Sequence, residues 1–332
     1  MPRVTVIGAG AWGTALALVA RQAGNAVALW AHDAAVAAAI NATHRNPDFL
    51  PGVALPADVG ASPDIAAAAG AEIVLLAVPA QFLRANAAML RPHLPAATPL
   101  VVCAKGIEQG SGALMSAAVA DALPGHPIAV LSGPTFAAEV ARGLPTAVTL
   151  ACADATLGAR LVDAIGSPRF RPYVSEDVVG AQVGGAVKNV IAIACGIAAG
   201  RALGENARAA LITRGLAEMT RLCVALGGRA ATMMGLSGLG DLTLTCTSAQ
   251  SRNYSLGAAL GKGEALAAIL AARKSVAEGV YSASAVVALA ARHHVEMPIA
   301  AAVTAVVDRG APIDDVIGGL LSRPFRAEGE RG

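Results

Sequence analysis

The sequence predicts an α/β protein of two domains: a doubly wound parallel sheet over residues 1–175, then a mainly helical domain over residues 176–332. Three observations carry this. A β-branched strand, Val4-Thr5-Val6-Ile7, runs straight into a glycine turn and a helical segment. Apolar strands and helical segments then alternate as far as about Ser175, the spacing of βαβ units. From Glu176 onward the strand signal fades and helical periodicity takes over.

Composition permits this and excludes several alternatives. A chain of 332 residues, 55% hydrophobic and 14% charged, is long enough for two substantial cores and too apolar for disorder. Its net charge of +2 comes from interspersed signs without a basic run, which argues against a nucleic-acid partner. The five cysteines, Cys103, Cys152, Cys195, Cys223 and Cys246, are far apart in sequence. They read as buried hydrophobes in a reducing compartment. His293-His294 is an adjacent pair whose side chains diverge on a helix, so no metal site is expected. The N-terminus shows no secretory h-region, and a cytoplasmic protein is expected.

The opening turn is Gly8-Ala9-Gly10-Ala11-Trp12-Gly13, leading into a helical segment from Thr14 to Gln22. GxGxxG between strand and helix is the fingerprint of a dinucleotide-binding, Rossmann-type unit. Gly8 permits the tight turn, Gly10 lets the backbone approach a pyrophosphate, and Gly13 lets helix and strand pack closely. The second strand, Ala26–Trp30, ends in Ala31-His32-Asp33. An acid at this strand end holds a ribose 2′-hydroxyl and a basic group accepts a 2′-phosphate. Both types are present, which leaves NAD and NADP open with a lean to NADP.

Further strands are expected at 73–78, 100–103, 128–131, 146–151 and 170–174, with helices at 81–90, 113–122 and 155–165 between them. Ligands bind beyond the carboxyl ends of such strands. Two stretches lie there: Ala104-Lys105-Gly106-Ile107-Glu108, and Ser132-Gly133-Pro134-Thr135-Phe136-Ala137-Ala138-Glu139. Lys105 is either a solvated lysine or an anion contact. The second stretch is either an ordinary helix start or a substrate or cofactor loop.

The second domain opens on the apolar run Val178 to Gly200, with Lys188 near its middle. Its length suits a membrane span, but a central lysine costs about 2.5–3.5 kcal/mol on insertion scales. With Gln182 and Asn189 also in the run, a buried helix is the better reading and no integral membrane segment is expected. Helical segments follow at 206–226, 263–270, 282–292, 299–309 and 313–321. Between them, Asp241 on a glycine-rich loop is either a turn acid or a site acid. Ser251-Arg252-Asn253 sets one fixed cation among neutral donors, a pattern that suits a phosphate monoester. Glu278-Gly279 is a helix-end pair or a cofactor contact.

Taken together these stretches resemble the bacterial NAD(P)-dependent glycerol-3-phosphate dehydrogenases. The likeness rests on GAGAWGTALA, the Asn-rich loop ending Phe49-Leu50-Pro51-Gly52, AKGIE, SGPTFAAE, GGAVKNVIAIACGI, ITRGLAEM, GLGDLTLTCTSAQSRN and a late MPI. It spans almost the whole chain. Two departures stand out: His32 where many members carry arginine, and Val280-Tyr281 where Tyr-Arg is more usual.

The resemblance implies reversible reduction of dihydroxyacetone phosphate to sn-glycerol 3-phosphate, supplying phospholipid synthesis. It makes Lys188 the proton donor and acceptor and puts Lys105, Gly133, Thr135, Asp241, Ser251, Arg252 and Asn253 in the substrate site. Cofactor positions fall on Ala11, Trp12, His32, Lys105, Ala137, Arg252, Val276 and Glu278, beside Gly8, Gly10 and Gly13. Asn189 and Asp241 are expected to orient Lys188 or the substrate hydroxyl. Gly184, Gly185 and Ala186 are expected to let the sheet domain and cofactor approach. A homodimer interface suits an apolar helical domain, but nothing in the sequence locates one. The rival readings are a related keto-acid reductase, which does not need the Ser251-Arg252-Asn253 cluster, and a dinucleotide sensor, which does not need the lysines.

Overall fold

A computed structural model describes residues 1–273 and 276–325. Positions 274–275 and 326–332, which the sequence assigns to the helical domain, lie outside the described residues. The strands are β1 (Arg3–Ile7), β2 (Ala26–Trp30), β3 (Arg45–Asn46), β4 (Leu50–Ala54), β5 (Gly60–Ser62), β6 (Ile73–Leu76), β7 (Leu100–Val102), β8 (Ile128–Ser132), β9 (Thr146–Cys152) and β10 (Phe170–Ser175). Helices interleaved with them are α1 (Ala11–Gln22), α2 (Ala34–Thr43), α3 (Leu83–Leu90), α4 (Met115–Ala122), α5 (Ala137–Ala141) and α6 (Ala155–Ile165). The helical part comprises α7 (Val178–Gly200), α8 (Gly204–Ala225), α9 (Ala230–Met233), α10 (Asp241–Thr247), α11 (Arg252–Gly261), α12 (Leu266–Ala271), α13 (Glu278–Arg292), α14 (Pro298–Arg309) and α15 (Ile313–Leu321).

The chain divides into two compact units, residues 1–105 with 113–182 and residues 106–112 with 183–332. The division falls inside α7, whereas the fading strand signal places it before that helix. The reason is packing: Val178 and Ala181, in the first turn of α7, belong to the apolar layer of the sheet. Residues 106–112 go with the helices because Gln109 donates to the Tyr281 carbonyl (3.1 Å) and Arg292 to that of Ser111 (2.9 Å).

In the first unit the sheet runs β10-β9-β8-β7-β6-β1-β2-β5. Alternate residues feed opposite layers: Val4, Val6, Ile73, Leu75 and Val101 join one core, and Ile7, Val74, Leu76, Leu100 and Val102 the other. This period-2 sorting buries both faces. Strand order reverses at β1, with β2 on one side and β6 on the other, so the crevice of a doubly wound sheet opens beyond Ile7.

The sheet is not wholly parallel, contrary to the expectation. β9 pairs antiparallel with β8, Ser132 opposite Thr149. The connection between them contains only the five-residue α5. It returns the chain to the sheet from the edge at which it left, whereas a parallel pair needs a crossover. The stretch read as an Asn-rich loop is a small hairpin, β3 against β4, and β5 adds a parallel edge strand to β2.

In the second unit α7 is the buried axis. It is long and apolar enough to cross a membrane, yet 89% of its apolar window is buried within the structure. Glycines set how closely α11 lies on it. A Cβ on Gly196 would collide with the Tyr254 carbonyl, and one on Gly257 with that of Ile193, so the two backbones touch as only small residues permit. The expected stripe on α8 is present in part: Met219 and Cys223 are fully buried, Ile212, Leu216 and Leu226 half-buried.

Glu218, also on α8, is buried, and its carboxylate accepts from Ile299 N (2.7 Å) and Ala300 N (3.2 Å), capping α14 behind Pro298. Desolvation raises its pKa from 4.5 to about 7, outweighing those two bonds and the nearby charges of Arg221 and Arg323. A carboxyl whose folded pKa lies above its unfolded one binds more protons when folded, so its contribution is full below the unfolded value and is lost as pH rises to about 7. Unfolding by urea at about pH 5 and pH 8 should show Glu218→Gln lacking a pH-dependent loss of about 3 kcal/mol present in the wild type. Equal slopes in both proteins would refute this.

Candidate active site

The turn after β1 is built to keep side chains out. Gly8 has φ +115°, a conformation that favours glycine, and a Cβ there would press on the backbone of Ala77 and Val78 at the end of β6. A Cβ on Gly13 would collide with the Gly8 carbonyl. At Gly10 the same position meets nothing within 4 Å, and Gly10 caps α1 without a side-chain hydrogen bond. The first N–H groups of α1 are therefore open to an anion. Asn46 tightens the turn from behind, donating to the Ala9 carbonyl (2.8 Å) and to Thr14 Oγ1 (2.8 Å). Trp12 Nε1 is buried without a hydrogen-bond partner among the described residues. These features, with Ala11 half-buried at the start of α1, fit the pyrophosphate of a dinucleotide. His32 stands exposed just beyond β2.

At the ends of β7 and β8 a second group assembles. Lys105 Nζ donates to the Gly133 carbonyl (2.8 Å) and lies 3.4 Å from Thr135 Oγ1. Gly133 has φ +146°, and a Cβ there would approach Val148 Cα at 3.0 Å. That contact leaves its carbonyl facing Lys105 as a fixed acceptor. Ser132 Oγ is buried with no partner among the described residues, and Ala137 opens α5. Cys103 is not a nucleophile, because burial pushes its thiol well above the usual range, with Lys105 pulling the other way.

In the second unit Lys188 projects from mid-α7 into a buried polar pocket, 6% exposed. Its Nζ lies 2.6 Å from Asp241 Oδ1 and 2.9 Å from Thr245 Oγ1. Asp241 is fully buried. It lies in the first turn of α10, after a π-helical turn over Leu236–Gly240, and not on a loop. Thr245, one helical turn later, donates to the Asp241 carbonyl (2.6 Å). Burial raises the Cys246 thiol, and neighbouring Cys195 raises it further, so no competing thiolate forms beside the lysine. The small Gly184 serves this pocket: a Cβ there would collide with the Ser237 carbonyl in the π turn.

Ser251, Arg252 and Asn253 start a helix. Ser251 caps α11, its Oγ accepting from Tyr254 N (3.2 Å), and is buried. Asn253 Oδ1 accepts from Gly279 N (2.9 Å) and its Nδ2 donates to Asn189 Oδ1 (2.9 Å). That chain of amides ties α11 and α13 to α7, and one Nδ2 hydrogen is left for a ligand. Asn189 itself turns to the Gly185 carbonyl (3.3 Å) and Asn253, its place in that chain. Arg252 is exposed on the first turn. Desolvation lowers its pKa, Glu278 raises it and Arg273 lowers it, but a guanidinium remains a cation at working pH. Glu278 begins α13, with Val276 half-buried just before it.

Two positioning groups stand outside the residues that the sequence singles out. Thr245 is detectable as the i+4 neighbour of Asp241 on one helix face. Asn46 has only its place in the Asn-rich stretch to mark it.

The N-terminal model of NAD-dependent glycerol-3-phosphate dehydrogenase matches residues 3–158, and the C-terminal model of the same family matches residues 177–318. A glycerol-3-phosphate dehydrogenase [NAD(P)+] of Rhodospirillum rubrum is 61% identical over 327 residues, 98% of this chain and 94% of that protein. One from Caulobacter vibrioides is 57% identical over 326 residues, 98% of each chain. Among solved structures, glycerol-3-phosphate dehydrogenase from Coxiella burnetii superposes with a TM-score of 0.93 at 39% identity, covering 97% of this chain and 99% of that one.

Proposed function

This chain belongs to the NAD-dependent glycerol-3-phosphate dehydrogenase family, and from that premise we propose that it interconverts dihydroxyacetone phosphate and sn-glycerol 3-phosphate with Lys188 as the proton-exchanging residue. The observation that carries the role is the buried Lys188 ammonium held by Asp241 and Thr245 at 2.6 and 2.9 Å. NAD(P)H, when bound, supplies the hydride. Reduction of the ketone leaves an alkoxide on the substrate. An ammonium kept in a low-dielectric pocket stabilises that charge and gives up its proton, and takes one back in the reverse direction. Asp241 orients Lys188 and balances its charge, and Thr245 limits its rotation.

Lys105, Gly133 and Thr135 contact the substrate, Lys105 being already turned toward Gly133 and Thr135. Arg252 grips the phosphate, with Ser251 and Asn253 setting the helix start that presents it. Gly8, Gly10, Ala11, Trp12 and Gly13 hold the pyrophosphate, and His32, Lys105, Ala137, Arg252, Val276 and Glu278 complete the cofactor contacts. The lean is to NADP. The product serves phospholipid synthesis in the cytoplasm, a compartment that fits five free, buried cysteines. A homodimer through the helical unit is supported by its 610 Å³ apolar groove, flanked by exposed Leu203, Leu321 and Phe325.

The test is oxidation of NADPH and NADH with dihydroxyacetone phosphate and with unphosphorylated dihydroxyacetone. Only the phosphorylated ketone should turn over efficiently. In Arg252→Ala the KM for dihydroxyacetone phosphate should rise about tenfold to a hundredfold, the worth of a charge-assisted phosphate contact. A change in cofactor affinity alone would refute the phosphate assignment.

A further inference from the structure

We propose that Arg273 is a positioning residue of the phosphate site, holding the first turn of α11 so that Arg252 is presented to the substrate in one place. The inference rests on the phosphate reading of Arg252 given above and adds to it the side chain that makes the grip effective.

The chain comes back to the start of α11 through a helical hairpin. α11 is capped at Lys262, and beyond it Gly263 (φ +95°) donates to the Leu260 carbonyl (2.9 Å) and Glu264 N to that of Ala259 (3.1 Å). This pair of bonds is a Schellman closure, which favours glycine at the left-handed position and turns the chain around. α12 then runs back over six residues with Ile269 buried. Arg273 follows it, its N–H donating to the Leu270 carbonyl (3.2 Å).

There the guanidinium meets the outer face of α11. Nη1 donates to the Arg252 carbonyl (2.7 Å) and Nη2 to Ser255 Oγ (3.2 Å), while Ser255 Oγ donates to that same carbonyl (3.2 Å). Positions 252 and 255 are i, i+3 neighbours on one helix face, so a single planar fork closes a triangle over the first turn. The face toward α7 and α13 is fixed by other groups: Asn253 is tied to Asn189 and Gly279, and Gly257 lies against the Ile193 carbonyl. Arg273 holds the side that carries Arg252.

Arg273 also bears on the Arg252 guanidinium as a like charge, with Glu278 as the opposing one, so the two cations lie in the same neighbourhood. Two arms of the Arg273 fork are engaged with α11 itself, and its action on a ligand runs through Arg252. Ordering a mobile turn at the moment of binding costs affinity, and a turn held in advance avoids that cost. Past Arg273 the chain goes on to Val276 and Glu278, so the segment with those two cofactor contacts leaves from the same anchor.

Initial rates against dihydroxyacetone phosphate, with inorganic phosphate as competitive inhibitor, test this on the full chain. Arg273→Gln should raise both the KM and the inhibition constant of phosphate about fivefold to tenfold, with kcat within about threefold of the wild type. Arg273→Lys keeps the charge but not the fork and should share most of that loss. Ser255→Ala, which removes one corner of the triangle, should raise KM about threefold. In an Arg252→Ala background Arg273→Gln should change KM by about twofold at most, because the two residues act as one unit. An unchanged KM in Arg273→Gln, full recovery in Arg273→Lys, or an undiminished effect in the Arg252→Ala background overturns the proposal while the phosphate reading stands. An Arg252→Ala enzyme with the wild-type KM overturns the phosphate reading itself.

Discussion

Lys188→Ala should lower kcat by about 10²–10⁴, the usual contribution of a positioned acid–base group, while the affinity for NADPH should stay within a few-fold of the wild type. The split follows from where the groups lie. The glycine turn, the open N-terminus of α1 and Trp12 belong to the sheet unit, and Lys188 belongs to the helical one. Lys188→Ala and Lys188→Met both leave the fully buried Asp241 carboxylate without its cation, so folding of each is checked by urea unfolding, and Lys188→Met, which keeps the side-chain volume and removes the proton, is the variant used for kinetics. Initial rates against dihydroxyacetone phosphate give kcat and KM, and titration gives the NADPH Kd. A Lys188→Met enzyme turning over within tenfold of the wild type would end the proton-transfer assignment, because no positioned acid–base residue is worth so little.

The parts of this site that are legible in sequence are those where one residue type answers one local demand. Val4 to Ile7 followed by Gly8, Gly10 and Gly13 can be read because strand, turn and helix each impose their own residues, and the structure uses the glycines at positions 8 and 13 as their spacing suggests. The direction of β9 cannot be read, because an apolar run looks the same whichever way it pairs. β5 is hidden for a related reason: Gly60-Ala61-Ser62 has no strand propensity and is held through the backbone of β2.

Asp241 reads as a loop residue in sequence because Gly238 and Gly240 look like turn residues. In the structure a Cβ on Gly238 would collide with the backbone of Met233, so that glycine serves close packing of a π turn that feeds straight into α10. Asn253 shows a different limit. Its amide fits a phosphate as well in sequence as it fits Asn189 and Gly279 in space, and only the folded arrangement reveals the second engagement.

Removing Asp241 should cost more stability than any other change in the helical unit considered above. The carboxylate is fully buried and the ammonium 6% exposed, with 2.6 Å between them. Asp241→Ala leaves a positive charge in a buried pocket with Thr245 as a neutral acceptor, and breaking a buried pair in this way costs about 3–5 kcal/mol. The pair itself is a weaker source of stability than that figure suggests, because desolvation offsets most of its attraction. Lys188→Met combined with Asp241→Leu should therefore recover most of the stability lost in Asp241→Ala, while remaining as inactive as Lys188→Met alone. Urea unfolding of the three variants and the wild type, with kcat measured on each, separates the two effects. If the double variant unfolds as readily as Asp241→Ala, the stranded charge is not what destabilises the single variant. If it regains activity, the proton path does not run through this pair. With stability recovered and activity absent, the buried ion pair is kept for the chemistry that Lys188 performs and contributes little to holding α10 against α7.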